Sequence, residues 1–220
     1  MKTQVYLVPG LGANCKIFKH IHLPEDQYDV QCLEWITPIS MKESISDYAR
    51  RMAEQITGEK IILIGVSFGG IVAQEIAKII PTEKTVIIAS VKSRKELPLR
   101  IRMGKYLKIH RLLPYSKINQ IEKWILKIYG DKVKRKVDKY KDYLSVRNPL
   151  FLKWAMDQVP KWDQKEPIPN VLHIHSDQDE IFPIKYIQEC IVVKNTPHIL
   201  MIMKRARAIN KILANNLTTS

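Results

Sequence analysis

Short apolar runs alternate with segments of helical periodicity along most of the chain. Six runs bounded by turn residues predict strands at Val5–Val8, Val30–Trp35, Ile61–Val66, Thr85–Ser90, Val171–His175 and Cys190–Val193. Several of them are apolar at consecutive positions, which is typical of strands buried on both faces of a parallel sheet. Between them, apolar spacings of three and four predict helices over Ile45–Ile56, Ile71–Ile80 and Leu200–Asn216. The alternation predicts an α/β fold with a mostly parallel sheet of about six strands.

The segment from residue 92 to residue 165 has a different pattern. It carries no strand signal, and its periodicity predicts amphipathic helices at Pro98–Leu113, Ser116–Tyr129, Lys132–Val146 and Pro149–Val159. It also holds 21 of the 36 Lys and Arg residues but only 7 of the 22 Asp and Glu residues, so the whole net charge of +14 lies in it. We therefore expect a neutral core, formed by residues 1–91 and 166–220, with a basic helical cap inserted at 92–165.

Composition restricts the class of protein. Hydrophobic residues make up 45% of the chain and charged residues 26%, which are ordinary globular values. No apolar run approaches the roughly 18 residues that span a bilayer, and the first run is too short for a signal peptide. The three cysteines, Cys15, Cys32 and Cys190, lack metal-ligand or redox spacing. This set predicts a reducing, cytoplasmic environment and excludes a disulfide scaffold or a CxxC zinc module.

Glycine is concentrated in two turns that follow predicted strands. Only 8 of 220 residues are glycine, and five of them lie in Pro9-Gly10-Leu11-Gly12 and in Gly65-Val66-Ser67-Phe68-Gly69-Gly70. The second turn has Gly-x-Ser-x-Gly spacing between a strand and a helix, which is the context of a nucleophile elbow with Ser67 at its apex. An ordinary strand-to-helix turn with a serine cap is the alternative.

On these motifs the chain resembles the α/β-hydrolase family over essentially its full length, with core segments at both ends and a lid in the middle. The resemblance implies an oxyanion hole made by the backbone N–H of Phe68, which follows the nucleophile, and by that of Leu11 in the first glycine turn. Members commonly carry a histidine where this chain has Pro9. The resemblance also implies a catalytic triad in the order serine, acid, histidine.

Candidates for the acid and the base occur in that order. Asp179 follows the fifth predicted strand and stands four residues before a proline, as the acid usually does in the family; Asp177 is the second choice and Glu180 the third. His198, in the loop before the last helix, matches the base. The remaining histidines fit this role less well: His20, His22, His110, His173 and His175.

The resemblance implies a serine hydrolase that cleaves a carboxylic ester or thioester through an acyl-enzyme on Ser67. The same triad would support carbon–carbon bond hydrolysis or peroxidation, and a non-catalytic protein whose basic cap docks an acidic partner is a third hypothesis. The sequence carries no metal or nucleotide motif, so no cofactor is expected. We expect a small-molecule substrate, and the charge of the cap favours an anionic one or peripheral contact with an acidic membrane surface. Nucleic-acid binding is not expected.

Overall fold

The computed structural model describes residues 2–107, 142, 143, 145, 146 and 148–217. Within these residues six strands form one sheet: β1 (Thr3–Val8), β2 (Tyr28–Cys32), β3 (Ile61–Val66), β4 (Lys84–Ile88), β5 (Val171–Ser176) and β6 (Ile191–Val193). Their order in the sheet is β2-β1-β3-β4-β5-β6, and all neighbouring strands are parallel. The predicted α/β architecture with a parallel sheet of six strands is confirmed.

The α-helices of the described residues are α1 (Ile45–Ala53), α2 (Phe68–Ala77), α3 (Leu99–Leu107), α4 (Pro149–Lys161), α5 (Met201–Lys204) and α6 (Ala206–Asn216). Local side chains determine where two of them begin. Ser44 caps α1 by accepting the N–H of Asp47 at 3.1 Å. Asn148 caps α4 by accepting the N–H groups of Leu150 and Phe151, and a proline occupies the first turn.

The sheet is buried on both faces, which explains its continuous apolar strands. In β1, Val5 and Leu7 belong to a cluster that includes Leu213 of α6. The alternate residues, Tyr6 and Val8, belong to a second cluster that includes buried residues of α1, α2 and α4. Because successive side chains of a strand point to opposite faces, each face requires its own apolar set.

Several element bounds differ from the predicted ones. The predicted strand Val30–Trp35 is β2, which begins and ends earlier because the chain leaves the sheet after Cys32. Helix α2 begins at Phe68 instead of Ile71, directly after the turn that holds Ser67. The predicted helix Leu200–Asn216 is divided at Arg205, whose backbone has φ −114° and ψ 18°.

The predicted cap is described only at its two ends. Helices are present at α3 and α4, where Pro98–Leu113 and Pro149–Val159 were expected to contain them. The predicted helix Ser116–Tyr129 and nearly all of Lys132–Val146 lie outside the described residues. Helix α4 packs on the core through side chains that are almost fully buried, including Phe151 and Trp154. The division into core and cap stays a prediction.

Cys15 and Cys32 form a disulfide, with their Cα atoms 5.9 Å apart. The cysteine pattern predicted a reducing environment and excluded a disulfide scaffold, so a disulfide between this pair was not expected. The two cysteines are 17 residues apart in the sequence, which gives no sign of a contact. In the sheet, however, Cys32 is the last residue of β2 and pairs in register with Leu7 of β1. Cys15 follows β1 by a short turn, so the parallel register brings the two thiols together. Cys190 is a free cysteine.

Candidate active site

Ser67 lies at the apex of a sharp turn between β3 and α2. Its φ of 53° and ψ of −119° are sparsely populated for a residue with a side chain, and such strain costs on the order of 1–3 kcal/mol. The flanking glycines permit the close approach of strand and helix. A Cβ atom at Gly65 would lie 2.3 Å from the carbonyl oxygen of Gly69, and one at Gly69 would lie 2.1 Å from that of Pro9. The turn therefore has the geometry of a nucleophile elbow.

Hydrogen bonds from β4 and its C-terminal end hold the apex in place. The N–H of Ser67 donates to the carbonyl oxygen of Ile88 at 2.9 Å. The hydroxyl of Ser90 donates to the carbonyl oxygen of Ser67 at 2.8 Å. The backbone N–H and C=O of Ser67 are thus both hydrogen-bonded within the fold, whereas its side chain is partly exposed to solvent.

A row of hydrogen bonds joins Ser67, His198 and Asp179. Nε2 of His198 lies 2.8 Å from Oγ of Ser67, and Nδ1 of His198 lies 2.6 Å from Oδ2 of Asp179. A carboxylate can only accept, so Nδ1 carries the proton and Nε2 presents its lone pair to the serine hydroxyl. Asp179 is 4% exposed and His198 is 8% exposed, so the row is shielded from water up to the serine. The structure brings together the three residues that the sequence selected.

Backbone amides orient the carboxylate of Asp179. Its Oδ1 accepts the N–H of Ile181 at 2.9 Å and the N–H of Phe182 at 2.7 Å. Oδ2 is therefore left to face His198. Because one oxygen is fixed by two backbone donors, the carboxylate cannot rotate without losing both bonds.

The three candidate acids after β5 have different partners. Only Asp179 contacts the imidazole of His198. Asp177 is exposed and accepts the backbone N–H of Asn195 at 2.7 Å, which ties the acid loop (177–183) to the base loop (194–198). Glu180 accepts the backbone N–H of His198 at 3.0 Å. The sequence analysis ranked Glu180 third as the acid, and it gave no sign that the Glu180 carboxylate would bind the backbone N–H of His198.

The first glycine turn lies against the elbow. A Cβ atom at Gly10 would be 3.7 Å from Cβ of Ser67. The N–H of Ala13 donates to the carbonyl oxygen of Gly10 at 3.0 Å, and Gly12 has φ 72°, which makes Gly10–Ala13 a turn of type II geometry. The N–H of Leu11 takes no part in that turn bond. Phe68 is the first residue of α2, where backbone N–H groups have no acceptor within the helix.

Aromatic side chains of α4 and of the core pack together beside the elbow. Trp35 lies 5.6 Å from Phe68 and 5.0 Å from Phe151 between ring centroids. Trp154 packs on Tyr48 at 4.3 Å, and its indole N–H donates to a backbone carbonyl oxygen of the core. These rings place a continuous apolar surface next to Phe68, which is the residue that follows the serine.

The other described histidines form no hydrogen bond with Ser67, Asp179 or His198. His20 and His22 are exposed, and His110 lies outside the described residues. His173 and His175 are buried in β5. Among the described residues, no group of three His, Cys, Asp or Glu side chains could hold a metal ion. No helix of the described chain has the length and apolar character needed to cross a membrane.

Solved structures with this architecture cover almost the whole chain. A lipase-esterase related protein from Clostridium acetobutylicum has a TM-score of 0.67 and 18% identity, covering 97% of this chain and 94% of its own. An enol-lactonase from Burkholderia xenovorans has a TM-score of 0.69 and 12% identity, with 100% and 92% covered. The chain has the α/β-hydrolase fold.

A bromoperoxidase from Bacillus anthracis shares this α/β-hydrolase fold, with a TM-score of 0.67, 18% identity and coverage of 99% and 92%. At such identities the likeness concerns the fold and leaves the reaction open. No family model matches the sequence. No curated protein matches it as a sequence relative either.

Proposed function

We propose that the protein is a serine hydrolase that cleaves a carboxylic ester or thioester through an acyl-enzyme on Ser67. The observation that carries the proposal is the hydrogen-bonded row of Ser67, His198 and Asp179 at a strained elbow. A serine hydroxyl is a weak nucleophile at neutral pH and needs an adjacent base. The lone pair of His198 Nε2, 2.8 Å from the hydroxyl oxygen, supplies that base.

The reaction follows from the orientation of the row. His198 takes the hydroxyl proton as Ser67 attacks the carbonyl carbon, and then returns the proton to the leaving alcohol or thiol. Asp179 stabilises the imidazolium and keeps the neutral ring in the tautomer that has a lone pair on Nε2. In the second half of the reaction, His198 activates a water molecule that hydrolyses the acyl-enzyme.

Backbone N–H groups of Leu11 and Phe68 complete the proposed site as an oxyanion hole. Phe68 contributes a donor from the first turn of α2, where the helix dipole also favours negative charge. Leu11 contributes a donor from the type II turn that packs against Ser67. Loss of one such donor raises the barrier by about 3 kcal/mol.

The surroundings of the elbow favour a substrate with an apolar acyl group. Trp35 packs on the buried rings of Phe68 and Phe151 next to the nucleophile, and the partly buried side chains of this apolar cluster, Leu11, Trp35 and Leu152, are the ones that an acyl group could contact. The net charge of +14 adds a long-range preference for anionic esters or thioesters. A fall in kcat/KM with salt for an anionic ester, but not for a neutral one of equal acyl length, would support this preference.

Peroxidase chemistry from the same row is the second candidate, because a bromoperoxidase shares the fold. Carbon–carbon bond hydrolysis is the other alternative that a serine–histidine–acid row supports. Parallel assays of ester hydrolysis and of peroxide-dependent bromination would separate the first two. Ester hydrolysis at the same rate with and without peroxide, together with no detectable bromination, would favour the hydrolase.

A cytoplasmic location stays a prediction, and the disulfide between Cys15 and Cys32 counts against it. Cytosolic proteins keep their thiols reduced in most organisms, whereas exported proteins retain disulfides. Trapping of free thiols in intact cells, followed by mass spectrometry, measures the state of the pair directly. A fully reduced pair would support the cytoplasm.

Covalent labelling by a fluorophosphonate probe tests the nucleophile. We expect wild-type protein to be labelled at Ser67 and the Ser67→Ala variant to remain unlabelled while folded. Ser40→Ala is the matched control, since Ser40 is an exposed loop serine far from the row in sequence. Labelling of Ser67→Ala at the wild-type rate, or ester turnover by that variant, would contradict the proposal.

A further inference from the structure

Two buried histidines of β5 lie directly behind the acid loop and are unused by the proposed reaction. His173 is 2% exposed and His175 is fully buried, and their rings meet edge to face with centroids 4.9 Å apart. Burial lowers the pKa of both imidazoles, so both rings are neutral at physiological pH. Each ring therefore has one N–H donor and one lone pair.

The contacts of the pair assign both tautomers. Nε2 of His175 lies 2.8 Å from the carbonyl oxygen of Phe182, which can only accept, so this nitrogen carries the proton. Nδ1 of His175 then has the lone pair, and it lies 3.1 Å from Nε2 of His173, which must donate. Nδ1 of His173 accepts no hydrogen bond by strict geometry, and the backbone of Ser90 interacts with this ring and raises its pKa against the effect of burial.

The direction of this relay is informative. Both N–H groups point from the interior of β5 towards the acid loop, and Nδ1 of His173 lies at the far end. Apolar side chains would fill this part of the core without the cost of burying polar ring nitrogens. The pair therefore supplies something beyond volume, namely a donor that reaches Phe182.

Phe182 contacts both Asp179 and His198, the two residues that assist the serine in the proposed triad. Its N–H donates to Oδ1 of Asp179 at 2.7 Å, and its ring meets the imidazole of His198 edge to face, with centroids 5.5 Å apart. Nε2 of His175 is also 3.5 Å from Oδ2 of Asp179, beyond a hydrogen bond but close enough for its N–H dipole to favour the carboxylate. The backbone of Phe182 is thus held at its carbonyl by His175 while its amide holds the acid.

We propose that His175, oriented by His173, is a positioning residue that fixes Phe182 and through it the mutual geometry of Asp179 and His198. It does not touch the substrate or Ser67. The inference builds on the proposed function, because it assigns a support to the same row. Misplacement of a catalytic group by about 1 Å costs on the order of 10²-fold in rate, so the loss of this single donor should be visible in kcat.

Substitutions at residue 175 can separate the donor from the volume. His175→Phe keeps a ring but removes the N–H. His175→Gln keeps an amide nitrogen at the same number of bonds from Cα as Nε2, so it can still donate to Phe182. We expect kcat to fall about 10²-fold in His175→Phe with KM unchanged, and to recover to within about tenfold of wild type in His175→Gln.

A matched control removes a buried hydrogen bond of the same kind elsewhere. Tyr28 donates its hydroxyl to the carbonyl oxygen of Leu217 at 2.7 Å, away from the acid loop. Tyr28→Phe should lower the melting temperature without changing kcat. If His175→Phe behaves as Tyr28→Phe does, with lower stability and wild-type kcat, the positioning role is overturned.

Two further measurements keep the inference testable in all cases. If His175→Phe does not fold, His175→Asn replaces it, because the asparagine amide is one bond too short to reach Phe182; equal kcat for the asparagine and glutamine variants overturns the proposal. If the wild type hydrolyses no ester, the proposed function has failed. The far-downfield proton resonance of the His198–Asp179 hydrogen bond then reports positioning by itself. Its loss in the phenylalanine or asparagine variant, with retention in Tyr28→Phe, supports the inference, and its retention in all variants overturns it.

Discussion

Replacement of Asp179 by asparagine tests the proposed row at its acid, and the structure predicts which atom of the new side chain faces the histidine. Oδ1 of Asp179 accepts two backbone N–H groups, those of Ile181 and Phe182. In Asp179→Asn the amide oxygen must keep that position, because the amide nitrogen would meet two donors there. The NH₂ group then points at Nδ1 of His198.

This arrangement reverses the tautomer of the imidazole. Since an NH₂ group can only donate, Nδ1 of His198 must accept and the ring proton moves to Nε2. Nε2 then has no lone pair for the hydroxyl of Ser67, 2.8 Å away. A wrong tautomer of this kind lowers kcat by about 10⁴-fold, which corresponds to about 5 kcal/mol at 1.36 kcal/mol per factor of ten. The two backbone bonds survive, so the variant should remain folded.

The assay is steady-state hydrolysis of an activated ester, with circular dichroism to verify the fold. Asp177→Asn is the matched control, because Asp177 is an exposed acid of the same loop whose carboxylate contacts Asn195 rather than His198. We expect the control to retain kcat within a few-fold. A folded Asp179→Asn variant with more than a tenth of wild-type kcat would refute the tautomer reasoning, and a larger loss in Asp177→Asn would reassign the acid.

Three further predictions concern stability. Gly69→Ala should destabilise the fold by about 3 kcal/mol or more, because its Cβ would lie 2.1 Å from a backbone oxygen. Reduction of the Cys15–Cys32 disulfide, at a sequence separation of 17, should lower the free energy of unfolding by about 3 kcal/mol. The lowered pKa of His173 means that only the unfolded state binds its proton near pH 6, so unfolding free energy should fall below pH 6.5 by up to about 1.4 kcal/mol per pH unit for this residue.

Urea unfolding measures all three, and each has a control of opposite expectation. In Gly104→Ala, inside α3, the new Cβ would lie 3.5 Å from Pro160, which is an ordinary contact, so this variant should be stabilised or unchanged. Cys190→Ser leaves the disulfide intact, so without reductant its unfolding free energy should match that of the oxidised wild type. In His173→Gln, the unfolding free energy should fall less steeply below pH 6.5 than in the wild type. Equal behaviour of any variant and its control would contradict the corresponding argument.

The parallel sheet and the elbow could be predicted because their signals are local. Ile61–Val66 is apolar at consecutive positions, and the structure buries all six residues. The glycines at 65 and 69 stand where any side chain would meet backbone, so their spacing alone indicates the turn. Helix bounds were less accurate, since the break at Arg205 has no glycine or proline in the sequence to announce it.

The roles within the acid loop could not be read from the sequence in the same way. Asp177, Asp179 and Glu180 are chemically similar and lie within four positions. Each of these acids finds its partner in the base loop, 18 or 19 residues further along the chain. Which acid meets which partner therefore depends on how that loop folds against the acid loop. The proposed role of His175 could not be predicted from the sequence either. Its side chain binds a backbone carbonyl oxygen seven residues further along the chain, and such a contact leaves no pattern of side chains.

The turn that would supply the Leu11 donor depends most on contacts that no local pattern reveals. Trp35 donates its indole N–H to the carbonyl oxygen of Gly10 at 3.3 Å, and the N–H of Val146 donates to that of Gly12 at 3.1 Å. The disulfide at Cys15 then ties the segment that follows to the edge strand β2. A turn anchored from three directions is rigid, and rigidity is what an oxyanion hole requires, because its donors must be in place before the charge develops. The presence of Pro9 where the resemblance to α/β-hydrolases leads one to expect a histidine is therefore compatible with a preorganised hole, since the proposed donor is a main-chain group held by its neighbours.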